Sequence, residues 1–156
     1  MRIAIASGKG GTGKTTVATN LAYTAAQDGR SVAYLDCDVE EPNAAIFLKP
    51  DIVRREPITT AVPEVDPEKC IHCGQCGEIC QYGAIVCVGK QVLVHEDLCH
   101  GCAGCWLVCP TGAIREGRRE IGQLEAGRAG AIGFVHGTLN IGEAMSPPAI
   151  VAVKAA

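Results

Sequence analysis

Apolar and polar positions alternate with two different periods along the chain, and these periods predict its elements. An apolar run over residues 2–6 predicts a short strand, followed by a helix that ends near Gly29. Further strands are predicted over residues 31–35, 121–124 and 131–135. The positions with helical spacing in the first helix are Val17, Ala18, Leu21, Ala22 and Ala25.

A second predicted helix begins near the end of the chain, with Ser146 as its N-cap and Pro147 as its first helical residue. Strands alternating with helices predict an α/β fold. A cysteine-rich segment interrupts this order at residues 63–116, with a proline-bearing approach over 57–66 and an exit over 117–120. We therefore expect two domains, one formed by residues 1–62 and 117–156 and the other by the segment between them.

Eight of the ten cysteines lie in two runs with the same spacing, Cys-x2-Cys-x2-Cys-x3-Cys. This spacing is typical of bacterial ferredoxins with two [4Fe–4S] clusters, in which the fourth cysteine of each run binds the other run's cluster. The first predicted ligand set is Cys70, Cys73, Cys76 and Cys109. The second predicted ligand set is Cys80, Cys99, Cys102 and Cys105.

The two runs are halves of an internal repeat with a shift of 29 residues. Zinc is the main alternative ligand because it also binds Cys-x2-Cys pairs, although a zinc site closes at four ligands. A disulfide framework fits poorly with cysteines packed so densely along the chain. The two remaining cysteines, Cys37 and Cys87, are interpreted as small buried residues.

Residues 8–15 read Gly-Lys-Gly-Gly-Thr-Gly-Lys-Thr and match the phosphate-binding P-loop, G-x4-G-K-[ST]. A predicted strand before the loop and a predicted helix after it supply the required context. Lys14 is expected to reach the β- and γ-phosphates, and Thr15 to bind Mg²⁺. A glycine-rich turn without a ligand is the alternative. The predicted nucleotide-binding residues are Gly8, Lys9, Gly10, Gly11, Thr12, Gly13, Lys14, Thr15 and Thr16.

The lysine directly after the first glycine resembles the deviant P-loop of the MinD/ParA/Mrp class of ATPases, which also contains nitrogenase iron protein. The resemblance implies that Lys9 reaches the partner's nucleotide across a homodimer. It also implies that Asp38 orients or activates the attacking water and that Asp36 lies near Mg²⁺. The implied catalytic residues are therefore Asp38, Lys14 and Lys9. Taken alone, two aspartates at a strand end are more often helix caps or solvated loop residues.

Composition narrows the possible partners. The net charge is −3 and no basic block occurs, which argues against a nucleic-acid partner. No apolar run reaches the roughly 20 residues that a membrane span needs. The first strand leaves no room for a signal peptide, and ten cysteines without an export signal predict a reducing, cytoplasmic location.

The order of the two motifs resembles MinD-superfamily P-loop ATPases with an inserted ferredoxin domain. The resemblance implies an incomplete parallel-sheet P-loop domain, with an inserted α+β domain that holds two [4Fe–4S] clusters. The strand with the Walker B aspartate would follow Ala156, so ATP hydrolysis is expected of a full-length relative and is in doubt for this chain alone. About three strands are expected in the part of the sheet present here.

Several functions are compatible with this combination. The main expectation is nucleotide-gated electron transfer through the two clusters to an unidentified redox partner protein. The alternative is an iron–sulfur cluster assembly or carrier ATPase of the Mrp type. A partitioning ATPase acting on membrane or DNA, and a ferredoxin with a vestigial P-loop, rank lower.

Overall fold

The computed structural model describes all 156 residues, and they form two compact units. The first unit comprises Met1–Ile58 and Gly122–Ala156, and the second is Thr59–Ile121. The second unit includes the whole cysteine-rich segment and extends a few residues beyond the predicted bounds of 63–116 on each side.

Five helices, one short 3₁₀ helix and six strands make up the two units. In chain order they are α1 (Lys14–Gln27), β1 (Val32–Asp36), α2 (Ala44–Leu48), β2 (Asp51–Val65), α3 (Gln75–Ile79), β3 (Ile85–Val88), β4 (Gln91–Val94), the 3₁₀ turn Glu96–Leu98, α4 (Gly104–Leu107), β5 (Ile114–Ala129), β6 (Ile132–Leu139) and α5 (Ser146–Ala155). No helix is long and apolar enough to cross a membrane.

Four strands form one sheet in the order β1-β6-β5-β2. Strands β1 and β6 are parallel, with Val32 opposite Ile132 and Asp36 opposite His136. Strands β5 and β6 are antiparallel, because they follow each other in the chain and are joined by a tight turn at Gly130, whose φ is +59°. The sheet is therefore mixed, and the expectation of a purely parallel sheet is correct only for the β1–β6 pair.

The predicted approach and exit of the cysteine-rich segment are strands rather than linkers. Residues 57–66 fall largely in β2, and residues 117–120 fall in β5. These two strands are neighbours in the sheet, so their backbone N–H and C=O groups are paired with each other. A sequence pattern cannot reveal this pairing. The prolines of β2 are tolerated because β2 is an edge strand. The sheet thus has four strands instead of the expected three.

The predicted first strand is wrong: residues 2–6 adopt no strand conformation, and all of them except the half-buried Ile5 are exposed. They pair with no strand of the sheet, and an unpaired apolar segment has no reason to stay extended. The predicted apolar face of α1 is also only partly buried, because residues 2–6 supply no strand for it to pack against. Its buried residues are Thr19 and Ala22, whereas Val17 and Leu21 are 57% and 43% exposed.

Helix α5 covers the sheet of the first unit through Ala149 and Val153, which are fully buried. It begins at Ser146, with Met145 in the N-cap position and prolines in the first turn. The predicted N-cap is therefore displaced by one residue. Proline is well placed there, because the first backbone N–H groups of a helix have no intrahelical partner to lose.

We expect Gly137→Ala to destabilise the first unit by about 1–3 kcal/mol, the usual range for overpacking a core. A Cβ atom at Gly137 would lie 2.8 Å from Val153, 3.2 Å from Ile58 and 3.3 Å from Val39. Gly133→Ala on the same strand is the matched control, because its Cβ would meet only atoms at 3.7 Å or more. Urea unfolding followed by circular dichroism compares the two variants. Equal stability of both would contradict the packing described here.

Candidate nucleotide site and cysteine-lined cavities

The predicted P-loop lies directly before helix α1. Gly11 and Gly13 have φ values of +74° and +86°, a left-handed conformation that favours glycine. The first turn of α1 contains no acidic residue, and no side chain caps it. The first N–H groups of this 14-residue helix, at the positive end of its dipole, are thus available to an anion. This arrangement fits a phosphate group.

Lys14 and Asp38 are brought together by the fold. The ammonium of Lys14 donates a hydrogen bond to Oδ2 of Asp38 at 2.5 Å, and both side chains are about one-third exposed. The hydrogen bond to Asp38 raises the pKa of Lys14, partly offset by burial. The lysine expected to bind phosphate and the aspartate implied to act on water are therefore direct partners.

Asp36 is buried at the end of β1 and binds backbone groups with both carboxylate oxygens. Oδ1 accepts the N–H of Asp38 at 3.2 Å, and Oδ2 accepts the N–H of Ala44 at 3.2 Å. Ala44 is the first residue of α2, so Asp36 fixes the loop that carries Asp38. Its implied place near Mg²⁺ remains a prediction.

The other predicted loop residues are more exposed. The carbonyl of Lys9 accepts the hydroxyl groups of Ser7 and Thr12 at 3.0 and 3.2 Å, which folds the loop back on itself. Lys9 is exposed, as its implied reach towards a partner requires. Thr15 is half-buried in the first turn of α1, and Thr16 is exposed.

Sequence reasoning missed His136, a buried residue of β6 that lies opposite Asp36 in the parallel strand pair. Its Nε2 lies 2.7 Å from Oε2 of Glu125, whose other oxygen accepts a hydrogen bond from Arg55 at 2.5 Å. Arg55 and His136 together lower the pKa of Glu125. No motif marks these three residues, because they come from three separate strands.

The second unit contains a cavity whose wall includes all four cysteines of the first predicted ligand set. They are Cys70, Cys73, Cys76 and Cys109. Three of them come from the first run and one from the second run. A fifth cysteine, Cys87 of β3, lines the same cavity.

A second cavity in this unit is lined by the other predicted ligand set. Its cysteines are Cys80, Cys99, Cys102 and Cys105. Here three thiols come from the second run and one from the first. The structure therefore groups the eight thiols into the two crossed sets that the spacing predicts.

The internal repeat is visible in the backbone. Equivalent residues of the two halves share a left-handed conformation, at His72 and Gly101 and again at Gly74 and Ala103. Non-glycine residues in this region carry strain, and such strain concentrates in loops that hold a ligand. Helices α3 and α4 start directly after the second pair and carry Cys76 and Cys105, which are both 8% exposed.

Backbone N–H groups point at the fourth cysteine of each run. Ala84 donates to Sγ of Cys80 and Ala113 to Sγ of Cys109, both at 3.3 Å. Burial opposes ionisation of Cys80 and of Cys109, but the hydrogen bonds around them lower the pKa of both thiols. These sulfurs are thus stabilised as thiolates, the form that binds iron.

The third cysteine of each run has the opposite environment. Burial raises the pKa of Cys76, and it raises the pKa of Cys105 to about 11. Both pack into a core with Ile85 and Ile114. A bound metal deprotonates the thiol that binds it, so its positive charge would have to offset the cost of burying these two thiols as thiolates.

The geometry of the thiols suits a group larger than a single ion. All ten cysteines are free, and no three His, Cys, Asp or Glu side chains converge as one metal ion requires. A zinc site would place four ligand atoms about 2.0–2.3 Å from one point. The thiols instead line the walls of two cavities.

The chain matches the CobQ/CobB/MinD/ParA nucleotide binding domain over residues 3–146. It belongs to this family. The predicted resemblance to MinD and ParA is therefore confirmed.

Individual relatives support the same assignment. An uncharacterized protein of Methanocaldococcus jannaschii is 37% identical over 155 residues, covering 99% of this chain and 54% of the relative. An iron–sulfur cluster carrier protein of Synechocystis is 56% identical over 46 residues, 30% of this chain and 13% of that protein. An uncharacterized ferredoxin of M. jannaschii is 41% identical over 54 residues, 32% of this chain and 70% of the ferredoxin. Almost the whole of this chain matches two M. jannaschii proteins. It spans about half the length of each of them.

Proposed function

We propose that this chain is part of an ATP-dependent iron–sulfur cluster assembly or carrier protein. The observation that carries the proposal is a P-loop on the same chain as two cavities with crossed sets of four cysteines. The similarity to an iron–sulfur cluster carrier protein favours this function over electron transfer.

Each cavity is proposed to hold one [4Fe–4S] cluster. Each offers four thiols in the crossed pattern of two-cluster ferredoxins, and backbone N–H groups that reach sulfur in both halves. The inserted domain, with its bounds near 63–116, is proposed to be the cluster-binding part. Bound clusters would supply the iron and sulfide that the protein delivers.

The nucleotide site is proposed to bind MgATP. Lys14 would contact the β- and γ-phosphates, Thr15 would bind Mg²⁺, and Asp38 would act on the attacking water. Asp36 would hold the loop that carries Asp38 in place through its backbone hydrogen bonds. Lys9 would reach the nucleotide bound by a second copy of the chain in a homodimer. The protein is proposed to act in the cytoplasm.

Nucleotide-gated electron transfer to a redox partner protein is the second candidate. Two crossed cluster sites within one compact unit favour it, because each cluster would be tied to both halves of the repeat. The similarity to a ferredoxin also favours it.

Cluster transfer separates the two functions. Protein loaded anaerobically with ⁵⁵Fe and sulfide is mixed with an apo-acceptor that takes a [4Fe–4S] cluster, with and without MgATP. We expect label to move to the acceptor at a rate that depends on MgATP, and Lys14→Met to lose this dependence. If all label stays bound and MgATP instead shifts the midpoint potentials, the carrier function is wrong and electron transfer is supported.

A further inference from the structure

The first cavity contains a thiol that the crossed ligand pattern does not use. Cys87 lies on β3, is only half-buried, and lines the cavity together with the four predicted ligands. Its Sγ lies 3.8 Å from the carbonyl oxygen of His72, to which it donates a weak hydrogen bond. His72 stands between Cys70 and Cys73, so the sulfur of Cys87 lies against the ligand loop itself.

Strand β3 packs closely against the helix that carries Cys76. A Cβ atom at Gly77 would lie 3.4 Å from the backbone nitrogen of Cys87, which is ordinary van der Waals contact, so the backbones of β3 and α3 are direct neighbours here.

The second cavity has no counterpart to this thiol. The residue equivalent to Cys87 in the repeat is Glu116, and it does not line that cavity. The internal repeat therefore does not account for Cys87. One cavity has five thiols for a cluster that needs four, and the other has four.

We propose that Cys87 is a reserve ligand of the first cluster, able to replace Cys76 or Cys73, the two predicted ligands next to its contacts at Gly77 and His72. The inference rests on the proposed cluster binding and adds which of the two clusters can change its ligand. In the exchange, Cys87 loses its proton to solvent and its sulfur forms a bond to iron. The bond from the replaced cysteine to the same iron breaks, and that cysteine takes up a proton. No electron is gained or lost, and the first cluster stays bound while one protein ligand is exchanged.

Two serine variants at equivalent positions test the proposal. Cys76 and Cys105 are equally buried, and each is the third cysteine of its run. After anaerobic loading, Cys76→Ser should keep about eight iron atoms per chain, because Cys87 completes the first site. Cys105→Ser should keep about four, because the second cavity has no fifth thiol. If Cys76→Ser also keeps only about four, the proposal is wrong.

The double variant Cys76→Ser/Cys87→Ser should fall to about four iron atoms per chain, whereas Cys76→Ser/Cys37→Ser should keep about eight. Cys37 is the matched control because it is a half-buried free cysteine of the first unit. Thiol alkylation read by mass spectrometry gives a second readout: in loaded Cys76→Ser protein, Cys87 should be protected. Reactive Cys87 together with retained iron would exclude it as the replacement ligand.

Serine at a buried position can prevent folding, so an exposed pair provides a second test. Cys73 and Cys102 are equivalent, exposed ligands of the two cavities. Cys73→Ser should retain more iron than Cys102→Ser, and only while Cys87 is present. Equal iron loss in both would contradict the proposal. Failure of the unmodified chain to bind two clusters would instead contradict the proposed function itself.

Discussion

Cys80→Ser is expected to remove the cluster held mainly by the second run of cysteines, although Cys80 itself belongs to the first run. The cluster held mainly by the first run should stay in place. Cys80 lines the second cavity with Cys99, Cys102 and Cys105, and no fifth thiol is available there. Bound iron should fall from about eight to about four atoms per chain after anaerobic loading. Iron and sulfide analysis measures the loss.

Alkylation then identifies which cluster has been lost. In Cys80→Ser protein we expect the three remaining thiols of the second cavity to react, while the four predicted ligands of the first cavity stay protected. Cys37→Ser serves as the control and should keep both clusters, because Cys37 lines neither cavity. Reactivity of Cys70, Cys73 and Cys76 in Cys80→Ser protein would show that ligation is not crossed.

The spacing of the cysteines was sufficient to predict how the structure groups the eight predicted ligands. Such spacing is informative because cluster ligation restricts the local backbone, and the left-handed residues of both halves show that restriction. Cys87 could not be assigned in this way, since it reaches the first cavity from a different strand. Its neighbourhood depends on the packing of β3 against α3, which no short motif encodes.

Tertiary pairing explains where the fold departed from the sequence-based expectations. Residues 2–6 have the composition of a strand, but they pair with no other strand and stay exposed. Residues 57–66 and 117–120 have the composition of connections, but strand pairing orders them. The buried carboxylate of Asp36 is a similar case. Its position after a strand was evident from the sequence, whereas its two backbone partners follow from the turn that leads into α2.

Lys14→Met is expected to weaken MgATP binding by about 10- to 150-fold. This range corresponds to about 1.5–3 kcal/mol, the usual contribution of a hydrogen bond to a charged group. The substitution keeps a long side chain and removes only the ammonium, so α1 should be unaffected. Isothermal titration of the cluster-loaded chain with MgATP measures the change. Lys49→Met, at an exposed position in the same unit, should bind as the unmodified chain does.

Asp38→Asn should act in the opposite direction on nucleotide affinity. Asp38 accepts a hydrogen bond from the ammonium of Lys14 and so competes with a phosphate group for it. The pair is about one-third exposed, and pairs of this kind contribute only about 0.2–1 kcal/mol. Removing the charge should therefore tighten MgATP binding by up to about fivefold. Asp51→Asn, elsewhere in the same unit, should leave affinity unchanged. If Asp38→Asn weakened binding as much as Lys14→Met, Asp38 would be holding the nucleotide complex together instead of competing with phosphate for Lys14.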